Sequence, residues 1–325
     1  MKIEFKNAYI NYIKNLKPRD FKSISINKDS INSFLKNIKV HQKNILNKPN
    51  KPITLTVKFW LDHEKRFANE INEETLKKFL RLPSVSETMF ESHGKYLFFE
   101  FFYLKFFGIF NNKISNKNMI ENSLGDPTPF LLQRSSSGNL IHHIYHITQI
   151  EKFFKISIKS LDFIYEYGGG YGSLCRVFFQ NGFIGKYVIQ DIHSFSLLQE
   201  FYLRNLGLRV RYISSNKANN KDASILLTPD NVDKSLISAK SFKKSIFIAT
   251  WSLSEVDLSF RTIVNDDFFD FDYYFIAFRD TFNGFDNQEY FHRIALMSLS
   301  KIDWNFVKLK HIPHSFYLFG KRKGL

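Results

Sequence analysis

The stretch Ile164-Tyr165-Glu166-Tyr167-Gly168-Gly169-Gly170-Tyr171-Gly172 constrains this chain more than any other. An apolar, β-favouring run ends in an acid and then a glycine loop. Helix-forming apolar residues follow at Leu174, Cys175, Val177 and Phe178. The pattern predicts strand, tight turn and helix. Glycines let the backbone turn sharply and approach a ligand closely. The helix N-terminus points unpaired N–H groups and a positive dipole end into the same space. Spacing narrows the ligand. The dinucleotide fingerprint G-x-G-x-x-G fails, because its third glycine falls on Ser173. A P-loop needs Gly-Lys-Ser/Thr at the loop's end, and no lysine is there.

What remains is Glu166-x-Gly168-x-Gly170-x-Gly172, an acid followed by alternating glycines. It resembles the first motif of class I methyltransferases that use S-adenosylmethionine. The resemblance implies that Glu166, Gly168, Gly169, Gly170, Tyr171 and Gly172 form the cofactor loop. The glycine backbone would make room for the methionine moiety, and the acid would accept bonds from its ammonium. The bland alternative is a glycine loop with no ligand. Lys186-Tyr187-Val188-Ile189-Gln190-Asp191 reads as the next strand. An acid there, about 20 residues past the loop, is placed for ribose hydroxyls. Its plain alternative is a helix cap or turn residue. Ile192 and His193 follow at the same mouth.

The length allows one large or two ordinary domains. Aromatics are heavy at 17%, with 37 phenylalanines, so a sizeable core can form. The single cysteine, Cys175, excludes an internal disulfide and fits a reducing cytosol. Met1 to Asn7 holds no signal-peptide core, so a cytoplasmic location is expected. The longest apolar run, Tyr96 to Phe110, carries Glu100 and Lys105 and is too short to span a bilayer. A buried helix is its reading, with a membrane-surface helix as the minor alternative. The net charge of +15 suggests nucleic acid, anionic lipid or phosphorylated partners. It is uneven: residues 1–50 carry 11 Lys/Arg against 3 Asp/Glu, and residues 251–300 carry 3 against 9. A solvated basic surface in a Lys- and Asn-rich chain explains it most simply. No arginine-rich arm, zinc-finger spacing or aromatic RNP motif is present, so nucleic acid is an unfavoured partner.

Residues 1–155 read as a helical substrate or cover region, with patterns at Phe5 to Leu16, Ser30 to Leu46, Asn72 to Leu80 and Glu87 to Phe110. Asn47 to Pro52 is a linker or turn, and Gly125-Asp126-Pro127-Thr128-Pro129 breaks the chain again. A further helix is expected over Asn139 to Phe154. Its His142, His143 and His146 could form a metal or substrate site, since His142 and His146 share a face. With no matching carboxylate nearby in sequence, polar packing is preferred and no metal is assigned. Residues 156–325 switch to strand–helix alternation, which predicts a Rossmann-like α/β domain. Later strands are expected at Arg209 to Ile213, Ser245 to Thr250, Tyr273 to Phe278, Asn305 to Lys310 and Ser315 to Gly320. Residues 214–244 are ambiguous: Ser224 to Leu227 could be an extra strand and Asn231 to Lys240 a short helix. Helices are expected at Ser194 to Leu206, Glu255 to Val264 and Asp286 to Leu299, with Ser252-x-x-Glu255 resembling a capping box. Seven strands with an antiparallel last pair is the class I methyltransferase plan.

In such sheets ligands sit beyond the carboxyl ends of the strands. That selects the glycine loop, Asp191 to His193, Thr250 to Glu255, Arg279 to Asp286 and His311 to His314. Thr250-Trp251-Ser252-Leu253-Ser254-Glu255 lacks the prolines of enzymes that methylate exocyclic nitrogens of DNA bases. Together with the glycine loop, Arg261 and the closing Tyr317-x-Phe-Gly, it resembles a bacterial sugar O-methyltransferase family. The resemblance covers roughly residues 120–320 and is weaker before them, limited to Gly125-Asp126-Pro127 and the histidine helix. It implies O-methyl transfer from S-adenosylmethionine to a sugar hydroxyl in surface-polysaccharide or capsule biosynthesis. The acceptor could be nucleotide-linked or lipid-linked.

A sugar hydroxyl is a poor acid, so a base should take its proton. His314 and Glu255 are the catalytic candidates by location. Each has a plain alternative, a turn residue for His314 and a helix cap for Glu255. His193 lies beside the ribose acid and reads as cofactor-proximal. Thr250 and Trp251 border the cofactor, and Trp251 could stack or simply pack. Ser252, Ser254, Arg261 and Arg279 are the substrate candidates; the arginines could pair with an anionic group or with Asp266, Asp267, Asp270 and Asp272. That acidic run could hold magnesium, but an exposed loop is the preferred reading. Two rival functions remain open: an RNA-binding or RNA-modifying protein, and a non-catalytic S-adenosylmethionine-binding assembly partner.

Overall fold

The computed structural model describes residues 12, 15–46, 54–90, 94–110, 116–212, 224–229, 239–263, 268 and 270–325. Its centre is an eight-stranded sheet. The strands are β1 Phe163–Tyr167, β2 Lys186–Asp191, β3 Val210–Tyr212, β4 Ile225–Pro229, β5 Ser245–Thr250, β6 Tyr273–Arg279, β7 Ile302–Lys308 and β8 Ser315–Arg322. Across the sheet the order is β7-β8-β6-β5-β1-β2-β4-β3. Strands β1 to β6 pair in parallel with one another. β8 enters antiparallel between β6 and β7. This is the class I methyltransferase arrangement, with its antiparallel strand beside the last parallel one. β1 lies centrally, and Ile164, Val188, Ile189, Ile246 and Ile248 are fully buried. Continuous apolar runs such as these mark strands covered on both faces.

The strand count corrects the expected seven. Ile225–Pro229 is a full strand between β2 and β3, its first four residues all buried. The apolar run Ile225-Leu226-Leu227 needs two covered faces, so it takes the inner place. Val210–Tyr212 is left as a short extra edge strand.

Seven helices of two turns or more surround the sheet among the described residues: α1 Lys28–Leu46, α2 Leu55–Glu70, α3 Tyr96–Phe110, α4 Gly138–Phe154, α5 Ser173–Gln180, α6 His193–Asn205 and α7 Asn287–Met297. In α1, Ile31, Phe34 and Ile38 form the buried stripe, and Phe34 meets Phe201 of α6 at 5.6 Å. α2 is a helix the sequence reading did not place. Thr54 caps it by accepting from the Val57 N–H at 3.3 Å, and Phe67 and Ala68 are buried. Lys58, Asp62, Glu64, Lys65 and Arg66 interrupt its apolar pattern. α4 starts where Ser137 Oγ accepts from Leu140 N at 3.0 Å. α7 starts where Asp286 Oδ1 accepts from Glu289 N at 2.9 Å, at the expected start of this helix.

Other expected helices shorten. Asn72 to Leu80 becomes one turn, Glu73–Leu76, followed by a 3-10 turn, Phe79–Arg81. Glu87 closes a separate turn, Pro83–Ser86, so the long helix begins only at Tyr96. In place of the expected α-helix Glu255 to Val264, the described residues form a 3-10 helix, Leu258–Ile263, preceded by a 3-10 turn at Ser252–Ser254. Most of the expected helix Phe5 to Leu16, the linker Asn47 to Pro52 and most of Asn231 to Lys240 lie outside the described residues.

One apolar cluster runs from Ile31 and Phe34 through Leu97 and Ile144 to Ile164, Phe275 and Phe319. The helical region thus shares its core with one face of the sheet. A second cluster on the other face contains Phe163, Phe247, Tyr274, Phe278 and Phe291. Cys175 is fully buried, and burial pushes its thiol well up, so it packs as an apolar residue.

Candidate cofactor and acceptor site

The carboxyl ends of β1, β2, β5 and β6 and the start of β8 meet along one edge of the sheet. Gly168, Gly170 and Gly172 all have positive φ, at 73°, 57° and 91°. The loop is tight as well as turned. A Cβ on Gly168 would come within 2.2 Å of the Ser252 Cβ, and one on Gly169 within 2.5 Å of Ile189 Cγ2. Only glycine meets both demands at Gly168.

Glu166 lies under this loop, 1% exposed. The Tyr187 hydroxyl donates to its Oε2 at 2.9 Å. Burial raises the carboxyl to about 7, against a smaller lowering from Tyr187. No salt bridge reaches Glu166 among the described residues. A buried acid of this kind favours a cationic ligand.

Asp191 grips the loop. Its Oδ2 accepts from Gly170 N at 3.0 Å and from Gln199 Nε2 at 2.8 Å, and its Oδ1 accepts from Ile192 N at 2.8 Å. Gln199 Nε2 also donates to Gly170 O at 2.9 Å. Ile192 is the residue before α6 and packs on the main core. His193 opens α6 with its ring 4.5 Å from His41 of α1. Burial, then the nearby His41, lowers the His193 pKa. Glu64 of α2 binds His41 at 3.2 Å and accepts from Ser194 Oγ at 2.8 Å. The helical cover therefore meets the sheet at this mouth. Tyr171 turns away from the mouth: it is buried, and its hydroxyl accepts from Asn139 Nδ2 at 2.8 Å.

After β5 the chain turns sharply. Thr250 ends the strand, and Trp251 follows at φ 69°, in a region that bulky residues avoid. Trp251 N donates to Ala277 O at 2.7 Å. The Ser252 hydroxyl donates to the Tyr167 carbonyl, so it ties this turn to the glycine loop and does not cap a helix. Ser254 Oγ donates to Trp251 O at 2.5 Å. Glu255 is half-buried, and burial pushes its carboxyl up to about 7, with Arg279 opposing. Trp60 Nε1 of α2 donates to Glu255 O at 2.8 Å, so the cover touches this turn too.

The two arginines differ. Arg279, exposed, ends β6. Arg261 is 4% exposed and braces the turn. Its Nη2 donates to Ser254 O at 3.0 Å and its Nε to Val256 O at 3.1 Å. Its guanidinium also lies 4.7 Å from the Phe285 ring centre and 4.5 Å from that of Tyr290.

His314 precedes β8 at φ 57°. Asp280 N donates to His314 O at 2.9 Å, and His314 Nδ1 lies 2.9 Å from Asp280 Oδ2. Burial opposes it, but the His314 and Thr281 hydrogen bonds hold the Asp280 carboxyl below the usual range. An ionised Asp280 accepts from Nδ1–H, which leaves Nε2 as the basic atom.

The histidine cluster of α4 does find a carboxylate, which sequence distance concealed. Glu100 of α3 is fully buried and lies 2.9 Å from His142 Nδ1 and 3.3 Å from His311 Nε2. His143 Nδ1 pairs with Ser173 Oγ at 3.1 Å. Among the described residues no group of three His, Cys, Asp or Glu could hold a metal. Asp270 pairs with Lys240 at 3.0 Å, and Asp272 accepts from Ser245 N at 2.8 Å. Both lie at the amino ends of β5 and β6, away from the glycine loop, so they give a magnesium ion there no support. Asp266 and Asp267 lie outside the described residues.

The sequence reading did not single out Tyr187, Gln199, Asp280, Trp60 or Met89, whose side chain a Cβ on Gly170 would meet at 3.4 Å. Asp280 had a signal, since it directly follows a strand end.

No family model matches the sequence, and no curated protein matches it. Solved structures with similar backbones include the pyocyanin biosynthetic protein PhzM, at 9% identity over 57% of this chain and 56% of that one, with a TM-score of 0.34. An O-methyltransferase family protein from Burkholderia thailandensis is 9% identical over 56% of this chain and 58% of that one, TM-score 0.36. The fibrillarin pre-rRNA processing protein of Methanococcus jannaschii is 13% identical over 52% and 70%, TM-score 0.35. The chain thus spans under two thirds of the length of the first two. At such scores the fold assignment rests on the strand order itself.

Proposed function

We propose that this protein is an S-adenosylmethionine-dependent O-methyltransferase acting in the cytoplasm on a sugar hydroxyl destined for a bacterial surface polysaccharide. The observation that carries the cofactor reading is Glu166, a buried acid raised to about 7 beneath a positive-φ glycine loop. That arrangement fits an amino-acid ammonium. Asp191, on the neighbouring strand end, is placed for ribose hydroxyls. Support for a sugar acceptor comes from the Thr250 to Glu255 segment and its resemblance to sugar O-methyltransferases. The helical region 1–155 would serve as cover and acceptor wall, consistent with the Trp60 contact to Glu255.

S-adenosylmethionine would supply a methyl group already activated on a sulfonium, so positioning of the acceptor oxygen carries much of the rate. His314 Nε2 would take the hydroxyl proton, with Asp280 fixing the ring's tautomer and orientation. Asp280 is a positioning residue in this scheme. Glu255 faces the same strand ends and would bind acceptor hydroxyls, assisted by the exposed Arg279.

The test is mass spectrometry of surface glycans from a strain lacking the protein. Loss of one O-methylated sugar, restored by the wild-type chain and not by His314→Asn, is expected. Unchanged glycans with intact S-adenosylmethionine binding would reject the sugar reading in favour of an assembly partner. Methyl transfer to RNA in its place would reject it in favour of an RNA-modifying enzyme.

A further inference from the structure

Helix α3 is apolar on nearly every face. Leu97, Phe101 and Leu104 are buried in the core, as is Glu100. Phe99, Phe102 and Phe106 are not: they are 49%, 46% and 60% exposed. Their spacing places them along one stripe of the helix. The Phe102 and Phe106 rings stack at 6.3 Å. A soluble surface seldom leaves three large aromatics together in water without a use.

A cleft of about 510 Å³ adjoins this stripe, between α3, α4 and the β7–β8 hairpin. Phe99, Tyr145 and Phe153 give it an aromatic wall. Lys152, Lys308 and Lys310 also line it, and the last two are exposed and form no salt bridge among the described residues. Lys152 donates to the Tyr103 hydroxyl at 3.0 Å, and Lys105 lies 5.6 Å from the Phe101 ring centre. Cations therefore ring the aromatic face. Two buried polar atoms of the lining, Gln149 Nε2 and Tyr317 Oη, have no hydrogen-bond partner among the described residues. Tyr317 itself is 2% exposed.

We propose that the α3 stripe and this cleft dock the protein on an anionic lipid bilayer. The phenylalanines would enter the headgroup–acyl boundary, and the lysines would meet lipid phosphates. The phenylalanines come from α3 and the lysines of the cleft from α4 and the β7–β8 hairpin, so the patch as a whole presents an apolar centre with a cationic border, the pairing that holds peripheral proteins on anionic lipid. The charge complementarity favours a bilayer over a second copy, which would set Lys308 and Lys310 of both chains about one symmetric contact. No helix among the described residues is long and apolar enough to cross a membrane, so the protein would lie on the surface. This inference goes beyond methyl transfer and does not rest on it.

The full chain is sedimented with vesicles of phosphatidylcholine alone and of phosphatidylcholine mixed with phosphatidylglycerol. Binding to the mixed vesicles that weakens with added salt is expected. Phe102→Ser/Phe106→Ser and Lys308→Glu/Lys310→Glu should each lower the partition coefficient about tenfold or more, with thermal melting unchanged. Absence of wild-type binding to mixed vesicles would overturn the proposal. So would variants that bind like wild type. Self-association lost in the phenylalanine variant, without vesicle binding, would assign the face to a second copy and also overturn it.

Discussion

Asp191 holds Gly170 by its backbone: Oδ2 accepts the Gly170 N–H at 3.0 Å while Gln199 bridges the same oxygen and the Gly170 carbonyl. The acid proposed to hold ribose thus also fixes the loop that would receive the methionine moiety. Gln199→Ala separates these roles, because it loosens the loop and leaves the acid in place. It should cost about 1–2 kcal/mol of stability in chemical denaturation and weaken S-adenosylmethionine several-fold. Asp191→Asn should weaken binding further. Equal binding by both variants and wild type would show that the latch does not shape the site.

Glu166 links stability to pH. Its folded-state pKa is raised from 4.5 to about 7, so the folded chain binds the proton more tightly than the unfolded chain. Folding is therefore favoured at low pH, and this contribution is lost as pH rises from about 4.5 to about 7. Glu166→Gln removes the cost of the buried charge. Above pH 7 it should stabilise the ligand-free protein by up to about 3 kcal/mol, with no gain below the unfolded pKa. The same variant should lose S-adenosylmethionine binding. Thermal melting across pH and titration calorimetry check both halves; destabilisation at high pH would contradict the assignment.

Much of this site was legible in the residues, and the reasons are local. The glycine loop and β2 show because positive-φ turns and doubly buried strands demand particular residue types. The α7 cap shows because Asp286 and Glu289 stand three apart. The misses came from distance. Glu100 lies 42 residues from His142, so no spacing rule joins them. Ser252 matched a capping box, but its hydroxyl was taken by the Tyr167 carbonyl across the sheet. Helix α2 was hidden by its charges, Glu64 among them although it is buried against His41 and Ser194, while Phe67, one turn beyond His63, kept the helical period.

Gly168 and Ser252 are packed so that a side chain on the first displaces the second. Gly168→Ala adds positive-φ strain of about 1–2 kcal/mol to that clash. It should reduce S-adenosylmethionine affinity by an order of magnitude or more. Gly168→Ala/Ser252→Gly relieves the clash but not the strain, so affinity should recover in part. Calorimetry on both variants checks this; no recovery would mean that loop conformation, and not the Ser252 contact, sets the need for glycine.

The His314–Asp280 pair predicts a split between chemistry and binding. His314→Asn tolerates the positive φ but supplies no base. Methyl transfer should fall about a hundredfold or more, with S-adenosylhomocysteine affinity unchanged. Asp280→Asn should fall less and alter the pH profile, because the ring loses its orienting charge. If Glu255→Gln instead gave the larger loss in kcat, Glu255 would be the base.

The central claim is tested most directly by calorimetric titration of the purified protein with S-adenosylmethionine, S-adenosylhomocysteine and NAD, beside a Gly170→Asp variant. That substitution places a carboxylate next to Asp191 and Met89. Micromolar binding of both adenosyl ligands, lost in the variant and absent for NAD, is the predicted result. Absence of binding by either adenosyl ligand to the folded wild-type protein would contradict the account.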